Sequence, residues 1–229
     1  MVRYAPAEAE DYAALEVFYR EVCDAIEGGD DDPRWVWGIH PCEAELRCAL
    51  DTATMLVCWA DGASDDMSAA GERFCSEQAI SRTSKFPDGH GFDCEPIAAV
   101  GSAHAESTAV LHKAPPRIAA AIVLDGKWTR GYEDVAWRVD APLDRTAVIH
   151  LFAVHPDFRG RGLARGILDY AMEVARRDGF EVMRFDVIDT NLAAQRAYGR
   201  MGFTNLGPAR LSYAKDARVT DFVMFERAL

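Results

Sequence analysis

The sequence contains too few basic residues to suggest a nucleic-acid partner. Its 229 residues include 25 Lys and Arg against 37 Asp and Glu, and the formal net charge is −12. Binding to a phosphate backbone requires an excess of Lys and Arg, so neither DNA nor RNA is expected as a main partner. No apolar run reaches the roughly 18 residues of a membrane span, and no membrane partner is expected. Residues 1–6 lack the apolar stretch of a signal peptide, which predicts a cytoplasmic location.

Cysteine pairs of the kind that bind metals are also missing. The six cysteines never occur as Cys-x-x-Cys, so a structural zinc site is not expected and no metal is predicted. Because no export signal is visible, we expect these cysteines to remain reduced. The length and apolar content suit one domain with a sizeable core, or one domain with an insertion.

Hydrophobic periodicity predicts an α/β arrangement of alternating strands and helices. Strands are predicted at residues 2–5, 54–60, 117–124, 147–154, 181–188, 203–213 and 219–228, and helices at 8–26, 42–50, 162–178 and 191–201. Pro41 is expected at the first position of the second helix. The strand–helix–strand unit over 147–188 implies a parallel pair with a right-handed connection.

Residues 63–116 interrupt this pattern. The segment is rich in Ser, Gly, Asp, Ala and Pro and shows no sustained period. A structureless loop of that length is uncommon inside a compact domain. We interpret it as an insertion between two sheet strands of a single domain spanning 1–229. The insertion is either partly disordered or contains a short strand near 108–112.

The most informative segment is 154–164, in which a strand end is followed by a glycine-rich loop and a helix start. Gly160 and Gly162 let the backbone turn tightly and approach a ligand closely. The helix N-terminus adds unpaired N–H groups and partial positive charge. Three arginines lie within a few residues of this point: Arg159, Arg161 and Arg165. The loop is neither a Gly-Lys-Ser/Thr phosphate loop nor a Gly-x-Gly-x-x-Gly fingerprint. A pyrophosphate fits this cluster of donors in an otherwise acidic chain.

Two blocks of sequence resemble the acetyl-CoA-binding signature of the GCN5-related N-acetyltransferase (GNAT) superfamily. The signature Arg/Gln-x-x-Gly-x-Gly/Ala is matched by Arg159, Gly162 and Ala164, after the lead-in Val154-His155-Pro156. The following Asn-x-x-Ala…Tyr-x-x-x-Gly-Phe block is matched by Asn191, Ala194, Tyr198, Gly202 and Phe203. The resemblance covers about 147–206. It implies a mixed, mostly antiparallel sheet with a splayed parallel strand pair, flanked by helices. The insertion departs from the family pattern, in which those two strands are joined by a short turn.

The resemblance also implies a set of acetyl-CoA contacts. In the loop and helix start they are Arg159, Gly160, Arg161, Gly162, Leu163 and Ala164. Backbone groups near Phe152 and Val154 are expected to pair with the pantetheine arm like an added strand. Asn191 is a good helix N-cap, and the resemblance further implies a hydrogen bond to pantetheine. Tyr198 lies two helical turns beyond Asn191, and the tyrosine at this motif position commonly protonates the departing CoA sulfur.

The general base is left open by the sequence. Asp186 lies on the strand where some family members carry a catalytic glutamate. His150 alternates with Val148 and Phe152 on the preceding strand and is a second candidate. Glu133 and Asp134 are weaker candidates. Each of them could equally be a structural hydrogen-bonding residue.

The acceptor wall is predicted from the loop after the first helix, which usually lines the acceptor pocket in the GNAT fold. This loop carries carboxylates and two tryptophans, and the predicted acceptor contacts are Asp31, Trp35 and Trp37. Carboxylates attract an ammonium group, and tryptophan faces bind cations. The alternative is a solvated acidic loop whose tryptophans turn into the core.

Together these features predict an N-acetyltransferase that moves an acetyl group from acetyl-CoA to a small-molecule or peptide amine by direct attack. The alternative is an acyl-CoA-binding sensor or interaction module without turnover. The acyl chain length is open, since a succinyl or longer chain would use the same loop. The oligomeric state is open as well, a homodimer included.

Overall fold

The computed structural model describes residues 1–29, 32–61, 116–212 and 219–229. Their strands are β1 Val2–Pro6, β2 Met55–Ala60, β3 Arg117–Asp125, β4 Thr146–Val154, β5 Val182–Ile188, β6 Thr204–Ser212 and β7 Val219–Ala228. Their helices are α1 Tyr12–Ile26, α2 Glu43–Asp51, α3 Leu163–Arg177 and α4 Leu192–Arg200. The predicted bounds are confirmed to within one residue, except that α1 begins at Tyr12, after a 3-10 turn at Ala9–Asp11. No helix in these ranges is long and apolar enough to cross a membrane.

Helix α3 shows why these elements form where they do. Leu163, Ile167, Ala171 and Val174 recur every three or four residues, and each is at most 5% exposed. This spacing places them on one helical face, which packs on the sheet. Gly179 follows the helix with a φ of +86°, a left-handed conformation that ends helices and that glycine adopts without strain. The chain can therefore turn back at once into β5.

The strands form one seven-stranded sheet in the order β1-β2-β3-β4-β5-β7-β6. β4 and β5 are parallel, and the other neighbouring strands are antiparallel. The predicted mixed, mostly antiparallel sheet with one parallel pair is thus confirmed. The ladder between β4 and β5 covers only residues 146–148 and 182–184. Beyond it β5 remains paired with β7 and β4 with β3, so the two strands diverge and leave an opening, here called the fork.

A bulge in β4 accompanies this divergence. The register between β3 and β4 shifts between Ala121 and Val123. Opposite the shift, Leu151 has a φ of +50°, which is strained for a residue with a Cβ. The Leu151 carbonyl accepts a 2.6 Å hydrogen bond from the hydroxyl of Tyr19, a fully buried residue of α1. This long-range bond stabilises a backbone conformation that the local sequence does not favour.

Helices cover both faces of the sheet. On one face, α3 and α4 pack over a core that includes Leu56, Ile122, Ile149, Ile167, Phe185 and Phe225. On the other face, α1 and α2 pack over Val57, Ala121, Val123, Leu151 and Ala153. A smaller cluster on this second face surrounds Tyr132 and includes Val148, Ile188, Leu211, Phe222 and Met224. The segment 126–145, between β3 and β4, thereby covers the β5–β7–β6 end of the sheet.

Two sequence-based predictions need comment. Pro41 was expected at the first position of α2, which is wrong, because Cys42 is the N-cap and Glu43 the first helical residue. The buried Glu45 carboxylate accepts a 2.9 Å hydrogen bond from the Cys42 N–H, and this contact fixes the cap one residue after Pro41. Residues 62–115, including the strand predicted near 108–112, lie outside the described residues. Their flanking strands β2 and β3 are antiparallel neighbours, and Ala60 pairs with Arg117 at the edge of the sheet where β4 ends.

The Tyr19 hydrogen bond can be tested by Tyr19→Phe. The variant keeps the ring but leaves the Leu151 carbonyl without this donor, so we expect the free energy of unfolding to fall by about 1–3 kcal/mol. Urea denaturation measures the change. Tyr12→Phe on the same helix is the matched control, because no described residue is hydrogen-bonded to its hydroxyl. Equal stability of the two variants would show that the bulge does not depend on Tyr19.

Candidate active site

The fork leaves one edge of β4 without a neighbouring strand. Among the described residues the β4–β5 ladder ends at Val148 and Arg184, while the other edge of β4 stays paired with β3 as far as Val154. An unpaired strand edge presents alternating N–H and C=O groups, and an extended ligand can add to it like another strand. Phe152 and Val154, predicted to contact such a ligand through their backbone, lie on this edge and are half-buried.

The loop that follows β4 presents a row of backbone donors. Gly160 and Gly162 have φ values of +76° and +75°, and Gly162 is the N-cap of α3. No described residue accepts a hydrogen bond from the N–H groups of residues 160–164. These groups lie at the N-terminus of a 15-residue helix, where the helix dipole favours negative charge. The loop therefore presents hydrogen-bond donors and partial positive charge at one point, which suits an anion.

Positive side chains surround the same point. Arg159, Arg161 and Arg165 are exposed. The Arg161 guanidinium lies 5.3 Å from the ring centroid of Phe158, and Arg165 Nε is 3.6 Å from Asp169 Oδ2. Exposed ion pairs of this kind contribute little and rearrange easily. The arginines can therefore turn toward a bound phosphate at small cost.

Tyr198 of α4 lies beside the free edge of β4. Its ring centroid is 4.7 Å from that of Phe185, 5.7 Å from that of Phe225 and 6.2 Å from that of Phe152. Burial raises the pKa of Tyr198 well above the ordinary tyrosine value, so its hydroxyl stays protonated at neutral pH. No described residue is hydrogen-bonded to this hydroxyl. At the start of α4, Asn191 Oδ1 accepts a 2.9 Å hydrogen bond from the Ala194 N–H, which confirms the predicted N-cap.

A polar network occupies the opposite face of the fork. The Tyr132 hydroxyl donates a 2.6 Å hydrogen bond to Asp186 Oδ1. His150 Nε2 lies 3.3 Å from Asp125 Oδ1 and 3.0 Å from the Lys127 carbonyl oxygen. Asp125 is buried, and its Oδ2 has no hydrogen-bond partner among the described residues. The network thus brings together two carboxylates, one imidazole and one buried tyrosine.

These carboxylates set the charge of His150. Burial works against a charged imidazole, but Asp125, and to a lesser degree Asp186, outweigh burial and raise the pKa of His150 above 6.5. A raised pKa makes an imidazole less available as a general base near neutral pH.

Comparison with known proteins points to one family. Residues 98–203, just under half of the chain, match the family model of the acetyltransferase (GNAT) family. An uncharacterized N-acetyltransferase of Methanocaldococcus jannaschii is 34% identical over 70 residues, which is 31% of this chain and 31% of that protein. The match thus spans less than a third of this relative's length.

Solved GNAT structures resemble the whole chain. A GNAT acetyltransferase of Streptococcus agalactiae has a TM-score of 0.63 at 13% identity, covering 100% of this chain and 95% of that one. A GNAT of Kribbella flavida has a TM-score of 0.52 at 16% identity, with coverage of 100% and 98%. A putative acetyltransferase of Salmonella typhimurium, solved with acetyl-CoA, has a TM-score of 0.52 at 16% identity, with coverage of 100% and 94%. At these identities the likeness establishes the GNAT fold alone.

Sequence reasoning missed two members of the candidate site. Asp125 ends a strand that is otherwise apolar after Arg117, and nothing local marks it as a partner of His150. Tyr132 lies in an irregular segment and meets Asp186 across 54 positions of the chain. A polar residue at the end of a buried strand was the one available signal. The weaker candidates Glu133 and Asp134 are exposed.

The predicted acceptor wall is engaged within the protein itself. The ring centroid of Trp35 lies 6.1 Å from that of Tyr19 and 5.9 Å from that of His40. The face of Trp37 is covered by the Arg20 guanidinium at 4.9 Å. Both tryptophans are partly buried against the α1–α2 core, as the alternative prediction had it. Asp31, the third predicted contact, lies outside the described residues.

The charge of His150 leads to a testable pH dependence. Because its pKa is raised in the folded protein, protonation contributes stability that is fully present below the unfolded pKa of about 6.5. This contribution is lost as pH rises through the folded pKa. We expect wild type to exceed His150→Gln in unfolding free energy most at low pH, and the difference to shrink above about pH 6.5. Denaturant titrations from mildly acidic to alkaline pH measure it. An NMR titration that places the pKa of His150 below the ordinary histidine value would contradict the predicted rise. His150 would then again be a candidate general base.

Proposed function

We propose that the protein is an N-acetyltransferase that uses acetyl-CoA to acetylate a primary amine by direct attack. The main observation behind this proposal is the row of N–H groups at residues 160–164, which lies directly beyond the free edge of β4. The pyrophosphate is held at the loop by these groups with Arg159 and Arg161. The pantetheine arm runs along the edge at Phe152 and Val154 into the fork. The Salmonella typhimurium protein of the same fold, solved with acetyl-CoA, supports this choice of cofactor.

Asp186 accepts a proton from the amine in this proposal. A lysine-like amine has a pKa of about 10.4, so roughly one molecule in a thousand is neutral at pH 7. A base within direct or water-mediated reach therefore increases the reactive fraction. The Tyr132 hydroxyl holds Asp186 Oδ1 in place. Attack on the acetyl carbonyl forms the C–N bond and breaks the C–S bond.

Tyr198 supplies a proton to the departing sulfur. Its hydroxyl is kept protonated by burial, and no described residue competes for its proton. Phe185 and Asp186 are consecutive on β5, so their side chains point to opposite faces of the sheet, and Phe185 packs on Tyr198. The acid and the base thus approach the fork from opposite faces. One proton leaves the amine on one face, and another reaches the thiolate on the other.

The acceptor is proposed to bind on the α1–α2 face, as a small-molecule or peptide amine. The electrostatic reason is the network of Asp186, Asp125 and His150, in which two carboxylates lie beside one imidazole. The face of Trp37 is already covered by Arg20, so the attraction for a cationic acceptor is assigned to Asp186 and Asp125. Release of free CoA thiol with a panel of amines, followed with a thiol-reactive dye, tests the proposal. Binding of acetyl-CoA without release of thiol by any amine would favour the sensor alternative.

Cofactor binding by the loop can be tested with Arg159→Ala. Charge-assisted hydrogen bonds contribute about 1.5–3 kcal/mol, so we expect acetyl-CoA to bind roughly tenfold or more weakly by calorimetry. Gly162→Val should reduce affinity further, because a branched residue is strained at φ +75°. Arg176→Ala, which removes an exposed arginine from the far end of α3, is the charge-matched control. If Arg159→Ala and Gly162→Val both bind acetyl-CoA as tightly as wild type and the Arg176→Ala control, the pyrophosphate is not held at this loop.

The acid and base roles can be separated with Tyr198→Phe and Asp186→Asn. Positioned acid–base groups contribute about 10²–10⁴-fold, so kcat should fall within that range in each variant. The Kd for acetyl-CoA should stay nearly unchanged, since each substitution keeps the size and shape of the side chain. Asp186→Asn should recover part of its rate at high pH, where more of the amine is neutral, and Tyr198→Phe should not. A Tyr198→Phe variant that retains most of its kcat would assign this residue to packing alone.

A further inference from the structure

His155 links the cofactor loop to helix α1. It follows the last residue of β4, and its backbone N–H donates to the Ala119 carbonyl oxygen at 2.9 Å. Its side chain is buried, with the rings of Phe18 and Phe158 on either side at centroid distances of 6.0 and 5.8 Å. This residue is part of the Val-His-Pro lead-in, yet the proposed reaction gives it no role. A buried imidazole without a role in the chemistry calls for a physical explanation.

The two ring nitrogens of His155 have different partners. Nδ1 accepts a 3.2 Å hydrogen bond from the Asp157 N–H. Nε2 lies 2.7 Å from Glu21 Oε2 and 3.2 Å from Arg117 Nη2. One nitrogen therefore caps the 3-10 turn Pro156–Phe158 at the start of the loop. The other nitrogen binds the side of α1.

Arg117 closes the arrangement into a ring. Its guanidinium lies 3.1 Å from Glu21 Oε2 and 3.0 Å from Asp157 Oδ2. The cycle Glu21–His155–Asp157–Arg117 joins α1, the end of β4, the loop and the start of β3, and we call it the clamp. It lines a cleft of about 390 Å³, together with Asp24, Ala25 and Pro156. The Arg117 pairs are about half exposed and contribute little, so the buried His155 contact is the main link.

We propose that His155 is a positioning residue for acetyl-CoA, setting the placement of the loop 159–164 relative to α1 through the clamp. This inference rests on the proposed function. Helix α1 also fixes the bulge in β4 through Tyr19, two residues before Glu21. The same helix thus sets the two points between which pantetheine would be held, the fork and the anion site. A small displacement of one of these points relative to the other would weaken binding of the whole cofactor.

The test separates the two nitrogens of His155. In His155→Asn the amide oxygen can still accept from the Asp157 N–H, but the side chain is too short to reach Glu21. In Glu21→Gln a polar partner for Nε2 remains, whereas Glu21→Ala removes it. We expect His155→Asn and Glu21→Ala to weaken acetyl-CoA binding about tenfold, the effect of losing one charge-assisted hydrogen bond, and Glu21→Gln to recover most of it. At saturating acetyl-CoA, kcat should not change. Asp24→Ala is the matched control, since Asp24 lines the same cleft from the same helix and has no described contact with His155.

A second measurement does not depend on the cofactor. Amide hydrogen exchange of peptides covering 156–164, in the protein without acetyl-CoA, should be faster in His155→Asn and Glu21→Ala than in wild type or Asp24→Ala. The double variant should exchange no faster, and bind acetyl-CoA no more weakly, than the more strongly affected single variant, because both substitutions break the same link. Unchanged exchange and unchanged Kd for acetyl-CoA in both single variants would overturn the inference that the clamp positions the loop. Failure of the wild-type protein to bind acetyl-CoA would instead overturn the proposed function. Faster exchange with an unchanged Kd would mean that the clamp orders the loop without positioning the cofactor, and would also overturn the inference.

Discussion

The hydrogen bond from Tyr19 to the Leu151 carbonyl oxygen is the contact on which the rest of the site depends. A regular β4 would continue its ladder with β5 and have no edge left for a ligand. The bulge bends the strand and increases its local twist, and beyond it β4 stays with β3 while β5 stays with β7. Its left-handed residue is not a glycine, so the strain must be offset by contacts elsewhere. A fully buried hydroxyl, 132 positions away in the sequence, provides one of them.

The fork divides the proposed chemistry between the two faces of the sheet. Side chains alternate along a strand, so consecutive residues of β5 reach opposite sides. Phe185 joins the aromatic cluster that holds Tyr198, and Asp186 joins the polar network with Tyr132. Burial on the aromatic side raises the pKa of the Tyr198 hydroxyl, while the carboxylates on the polar side raise the pKa of His150 against the effect of burial. Phe185 and Asp186 thus lie in opposite environments, because consecutive side chains of a strand point to opposite faces of the sheet.

What could be predicted from the sequence depended on whether the residues involved are close together in the chain. The loop 154–164 was predictable because its strand end, glycines, arginines and helix start are consecutive, and each has a local physical meaning. The strand ladder was predictable from alternation and turn residues. Contacts across the chain were not, since Tyr132 meets Asp186 over 54 positions and His155 meets Glu21 over 134. Composition indicated an acidic, aromatic loop after α1, but it carried no information on where the tryptophans point. Trp37 turned out to be covered by Arg20 of the preceding helix.

Local compensation lets an acidic chain present an anion site. With a net charge of −12, the surroundings of the loop would repel a pyrophosphate unless nearby carboxylates were neutralised. Charges are screened over about 10 Å at 0.1 M salt, so only the nearest carboxylates matter. Two of these, Glu21 and Asp157, are paired with Arg117, and Glu21 Oε2 also lies 2.7 Å from His155 Nε2. The single guanidinium offsets part of the charge of these two carboxylates, which weakens their opposition to the arginines at 159 and 161 and the α3 N-terminus. The contacts that hold the loop against α1 therefore also reduce the negative charge beside it, so position and potential at the loop depend on the same four side chains.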